Sequence, residues 1–145
     1  MNITQNPFTT RGTIHEPNHF IGRVSQINLI VSRLQAMQSC SVVGPWRIGR
    51  SSILYHLFQT GTQLLKDERY RFLYIEMTDA RAHTAVDFLH TILLALNCST
   101  EGIKDENKLN RNLAAFGKEI AVLKEIEERI VLCLDEFEAL FDKQK

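Results

Sequence analysis

Residues 39–52, SCSVVGPWRIGRSS, constrain this chain more than any other stretch. A short apolar run meets a glycine turn, and a helix-forming segment follows. Gly44 and Gly49 stand at the spacing of the phosphate-binding loop G-x-x-x-x-G-K-[ST], with Ser51 in the hydroxyl position. In such a loop, successive backbone N–H groups curl into a concavity and the following helix points its positive end at an anion. The glycines permit left-handed turns and let the backbone approach phosphate closely. The Ser51 hydroxyl has the chemistry to ligate a magnesium ion bridging two phosphates. One position departs: Arg50 occupies the lysine position. It keeps the charge but replaces a compact ammonium with a planar fork.

A second stretch strengthens the phosphate reading. Residues 129–138, RIVLCLDEFE, form an apolar run that ends in Asp135 and Glu136. A carboxylate at that strand end suits the shell of a magnesium ion, and the next one suits the polarisation of an attacking water. The alternative is a strand that merely stops at charged residues.

Composition limits the partners. Lys+Arg and Asp+Glu number 17 each, so the net charge is zero, and no broad nucleic-acid or anionic-membrane surface is expected. A length of 145 residues favours one domain, and 44% hydrophobic residues fit a globular chain. The three cysteines lack metal spacing, and Cys40 and Cys133 lie in apolar runs where small core residues are expected. No secretion-type N-terminal segment or bilayer-length apolar run is visible, so a cytoplasmic protein is the expectation.

The pattern predicts an N-terminal arm over 1–22 and an α/β core over 23–145. Ile27, Ile30, Val31 and Leu34 predict a first helix ending near Ser39. A strand is predicted over 40–43, then a helix over 51–60 with Ile53, Leu54, Leu57 and Phe58 inward and Gly61 as its stop. A charged turn at 66–71 leads to a strand over 72–77. Thr84 and Asp87 have the spacing of a capping box for a helix buried through Ala85, Phe88, Leu89, Ile92 and Leu96. Residues 97–107 read as a flexible loop. Leu109, Leu113, Phe116, Ile120 and Leu123 mark a long amphipathic helix. A strand over 130–134 and a short helix over 138–145 complete the pattern.

The implied fold class is α/β: an incomplete three-layer parallel sheet of about three strands with flanking helices. The 72–77 and 130–134 strands should be neighbours. Ligands of parallel sheets bind at the carboxyl ends of strands, where Gly44 and Asp135 are both expected.

With these residues assembled, the chain resembles the AAA-like branch of P-loop ATPases, including the STAND signalling ATPases. Residues 6–23, NPFTTRGTIHEPNHFIGR, look like the arm and F-(V/I)-G-R-E box that precede the family core. GPWRIGRSSIL at 44–54 looks like the family's GPRRIGKTSLL, and VLCLDEFEALF at 131–141 looks like its acidic strand. The resemblance implies ATP or ADP with Mg2+ as ligands. Phe20, Ile21 and Gly22 would flank the adenine. Gly44, Pro45, Trp46, Arg47, Ile48, Gly49, Arg50, Ser51 and Ser52 would wrap the phosphates. Ser51 and Asp135 would serve magnesium, and Glu136 would polarise water.

Two departures accompany Arg50. Val24 and Ser25 follow Arg23 where the family carries acidic residues. The family's sensor strand, fifth strand and helical lid have no counterpart before Lys145, so the sequence reads as the N-terminal part of such a domain or as a shortened product. The resemblance thus implies a nucleotide-binding module with absent or very weak hydrolysis. The competing reading is a non-enzymatic interaction protein that keeps the fold without the ligand. Phe20 and Ile21 equally suit a hydrophobic staple for the first helix. Trp46 and Arg47 suit a cover for the nucleotide, a contact with a neighbour, or neither. A homodimer through the 40–43 edge or the helices beside it is the expected assembly.

Overall fold

The computed structural model describes residues 12–13, 22–45, 48–79 and 82–139. Its elements run α1 (Val24–Gln35), α2 (Arg50–Leu65), β1 (Tyr70–Glu76), α3 (Ala85–Ala95), α4 (Leu109–Glu125) and β2 (Arg129–Asp135). The chain divides into two compact units, Met1–Asp67 and Glu68–Lys145.

In the first unit α1 packs on α2. Ile27 and Ile30 are the buried residues of α1, while α2 buries Ser52, Ile53, Leu57, Gly61 and Leu65. Phe58, expected inward, is 37% exposed and meets Tyr55 edge-on at 5.6 Å. The expected strand over 40–43 does not form. Cys40 is exposed rather than core, and Val43 is 85% exposed. A strand exists only through a partner's backbone, and the described part of this unit contains no second strand.

The second unit holds the sheet. β1 and β2 are parallel neighbours, registered from Tyr70 opposite Arg129 to Glu76 opposite Asp135. The neighbour relation of these two strands is as expected, but the sheet has two strands among the described residues rather than about three. Strand alternation puts Leu73 and Ile75 on one face, where they join Met77, Ala82, Ile92, Leu96 and Leu123 in the core. Tyr70, Phe72 and Cys133 alternate with them and are also buried. Burial on both faces explains why β1 reads as a nearly continuous apolar run, whereas β2 buries only Cys133 and Asp135, on one face, and leaves Leu132 37% exposed.

The helices between the strands start and stop for local reasons. The Thr84 side chain accepts from the Asp87 N–H at 3.0 Å and donates to the Asp87 carboxylate at 2.8 Å, so the capping pair forms as expected. The 97–107 segment is tied down rather than loose. Ile103 is 1% exposed, its carbonyl meets His90 Nε2 at 2.7 Å, and the Asn112 side-chain amide donates to the Asp105 carbonyl at 2.7 Å. Asn112 takes the inward position on α4, which leaves Leu109 and Leu113 each 47% exposed instead of buried.

Helix ends depart from the glycine rule. α2 runs through Gly61 and stops at Lys66, which adopts the left-handed conformation (φ 52). Met37, Asn97 and Glu127 do the same after α1, α3 and α4. In each case the chain folds back with paired amide bonds, such as Met37 N–H to Leu34 and Gln38 N–H to Arg33. This is the Schellman closure, made here without glycine. The short helix expected at 138–145 lies almost wholly outside the described residues.

Candidate functional site

The glycine loop belongs to the first unit and opens α2. Gly49 sits at φ 93, a left-handed conformation that glycine adopts without strain, and immediately precedes Arg50 at the helix start. It has no side chain with which to cap the helix, and the first intrahelical bond runs from the Ile53 N–H to the Gly49 carbonyl at 3.0 Å. At Gly44 a Cβ would lie 2.8 Å from Ile48 Cγ2, so any larger residue there would have to displace the Ile48 side chain. The Ile48 N–H donates to the Pro45 carbonyl at 3.3 Å and closes the turn. Arg50 and Ser51 are half-buried in the first turn of α2, and Ser52 is buried.

Arg23 joins this loop. Its guanidinium donates to the Ile48 carbonyl and lies 3.7 Å from where a Gly49 Cβ would stand. A second cation therefore reaches the loop beside Arg50. Sequence reasoning missed this role, although the signal was present: Arg23 directly follows Gly22 in the FIGR box. Gly22 itself is exposed. The expected contributions of Phe20, Ile21, Trp46 and Arg47 fall outside the described residues.

The acidic strand end belongs to the second unit. Asp135 is the last residue of β2 and is 7% exposed. Burying a carboxylate is costly unless hydrogen bonds satisfy it, and two donors do so. The Tyr74 hydroxyl donates to Oδ2, and the Glu136 N–H donates to Oδ1 at 3.0 Å. Register explains the first contact: Asp135 faces Glu76, so Tyr74, two residues earlier on β1, shares its side of the sheet. Burial pushes the Tyr74 phenol well above its ordinary range, and the hydrogen bond and charge of Asp135 push it further, with Glu76 and Cys133 adding to the effect. Tyr74 carries no motif signal; only the register reveals it. Glu136 is half-buried with φ 53, so the chain turns sharply as it leaves the strand.

The described residues contain no group of three or more His, Cys, Asp or Glu side chains that could hold a metal. No helix among them is long and apolar enough to cross a membrane. Comparison with protein-family models, characterised proteins and solved structures returns no match.

Proposed function

We propose that the chain is a nucleotide-binding module of the AAA-like and STAND P-loop type, holding ATP or ADP by its phosphates with hydrolysis absent or very weak. The observation that carries this reading is the loop over 44–49. Gly44 packs closely against Ile48, and Gly49 turns left-handed directly into the 16-residue α2. Backbone amides at a helix start, with the Arg23 guanidinium beside them, favour an anion through both hydrogen bonds and the helix dipole. A phosphate-bearing ligand meets that demand.

Magnesium fits the donor chemistry of the residues assigned to it. Ser51, in the first turn of α2, offers a hydroxyl, a hard oxygen donor. A protein-only cage is not needed, because magnesium keeps several waters and is held largely through substrate phosphates. When bound, the ion neutralises phosphate charge. Glu136 is the residue assigned to orient water. Weak turnover follows from Arg50, whose fork cannot take the place of a lysine ammonium without shifting the phosphates. Loss of one aligned electrostatic donor costs roughly 100- to 1,000-fold in rate.

The competing reading, a fold kept for protein interaction alone, draws on the exposure of Val43 and Cys40, where a paired strand was expected. A homodimer is compatible with both readings. Titration of labelled ATP and ADP, with magnesium and with EDTA, separates them: saturable binding supports the module, and none supports the interaction protein. Phosphate release by the wild type against Glu136→Gln tests the second half of the proposal. Magnesium-dependent turnover abolished by that substitution would make the chain an enzyme.

A further inference from the structure

We infer that Arg23 is a positioning residue of the glycine loop: its guanidinium holds the Ile48 carbonyl and so aims the Gly49 N–H at the bound phosphate. The inference rests on the nucleotide reading above and lies wholly within the first unit. Arg23 stands at φ 59 directly before α1, makes no side-chain cap, and follows Gly22 at φ 86. A residue with a Cβ is strained at such an angle. Met37, Lys66, Asn97 and Glu127 take it to close helix ends, but Arg23 is at a helix start, where the backbone is ordinarily extended, as at Thr84 (φ −117). Strain of this kind persists where the surroundings hold it in place. Here the turn brings the guanidinium to the Ile48 carbonyl, 25 residues on, and within 3.7 Å of where a Gly49 Cβ would stand. Peptide geometry supplies the consequence. The described residues contain no cis peptide bond, and in a trans peptide the C=O and the following N–H point opposite ways. Holding the Ile48 carbonyl therefore turns the Gly49 N–H away from Arg23. The flanking peptides are fixed from within the loop and helix: the Ile48 N–H donates to Pro45 at 3.3 Å, and the Gly49 carbonyl accepts from Ile53 at 3.0 Å. The Ile48–Gly49 plane between them takes its hold from Arg23. Glycine offers little resistance to a flip of that plane, and a bond from a charged donor is about twice as strong as a neutral one. The amide is thus oriented before the ligand arrives, which lowers the ordering cost of binding.

The test uses the full chain with 15N-labelled glycine, as wild type, Arg23→Met and Arg23→Lys. Methionine keeps an unbranched stem and removes the donor. Lysine keeps the charge, and one donor suffices for a carbonyl. Two quantities are read: the Gly49 amide signal before any ligand is added, and the dissociation constant for labelled ATP. Arg23→Met is expected to move the Gly49 signal in the free protein and to weaken ATP by about 3- to 10-fold, the scale of one hydrogen bond. Arg23→Lys is expected to recover most of both. A Gly49 signal that stays in place in free Arg23→Met overturns the inference whatever the affinity, since Arg23 would then act on the ligand directly or not at all. A moved signal with unchanged affinity overturns it as well, and is what a merely structural arginine would give. Both results leave the nucleotide reading intact. If the wild type binds no ATP, the nucleotide reading fails and the phosphate role of Arg23 fails with it. Should Arg23→Met not fold, Gly22→Ala takes its place. A Cβ there meets nothing within 4 Å, so the substitution acts only on the φ 86 turn that aims Arg23. The same two changes are expected of it, and the absence of either overturns the inference.

Discussion

Lys66 holds a backbone angle (φ 52) that disfavours any residue with a Cβ. It does so because the Lys66 and Asp67 amides must return to the Gln63 and Thr62 carbonyls to end α2. Lys66→Gly should therefore stabilise the protein by about 0.5–1 kcal/mol, the strain relieved less the extra freedom gained by the unfolded chain. Urea unfolding midpoints check the sign. The same physics explains why helix ends were hard to read in the sequence. Gly61 looked like a stop, yet nothing at that position demands a left-handed turn, and the hydrophobic stripe carries on to Leu65. The residues that do turn, Met37, Lys66, Asn97 and Glu127, include only one type with any left-handed preference. Tyr74 carries a second prediction. Its proton is held more tightly in the folded state than in the unfolded chain, because burial and Asp135 disfavour the phenolate. The associated stability is complete below the ordinary tyrosine value near 10.0 and is lost as pH rises through the higher folded value. Denaturation between about pH 9 and pH 11 should show a steeper loss in the wild type than in Tyr74→Phe.

Among the elements, the helices and the two paired strands were legible because each has the periodicity of its final surroundings. β1 is buried on both faces and reads as a continuous apolar run, β2 carries the apolar run that pairs with it in parallel, and α3 is announced by Thr84 and Asp87. The 40–43 segment carries the same β-rich composition and yet forms no strand, since composition specifies what suits a sheet but not whether a partner is present. Leu109 and Leu113 misled for a different reason. The stripe counted leucines, whereas Asn112 faces inward to hold the Asp105 carbonyl, a role that no hydrophobic pattern displays. At the loop, glycine spacing gave the turn and the helix start, but the Arg23 contact was hidden by 25 residues of separation. Arg50 is the element-level lever. Arg50→Lys restores the compact ammonium of the loop pattern and should tighten ATP binding by about 10-fold, the scale of one improved charge-assisted contact. Affinity measured by fluorescence anisotropy, unchanged or weakened by that substitution, would count against a phosphate role for this position.

At the scale of the whole molecule, the exposed apolar residues bear on assembly. Val43 is 85% exposed and Met37 70%, at either end of a segment that pairs with no strand among the described residues. Exposed extended apolar segments pair with other chains, so sedimentation at tens of micromolar (roughly where modest interfaces fill) should show a homodimer that Val43→Lys weakens. A wild-type monomer under those conditions would remove the assembly proposal. Phosphate capture by the loop is the central claim, and the most direct test is labelled ATP titrated into the wild type and into Gly49→Val. A valine at φ 93 cannot keep the turn that opens α2. Saturable wild-type binding is expected, with a dissociation constant of roughly 10 μM to 1 mM, abolished in Gly49→Val while circular dichroism shows the helices retained. Wild-type protein that fails to saturate, or a Gly49→Val variant that binds as tightly as the wild type, would contradict it.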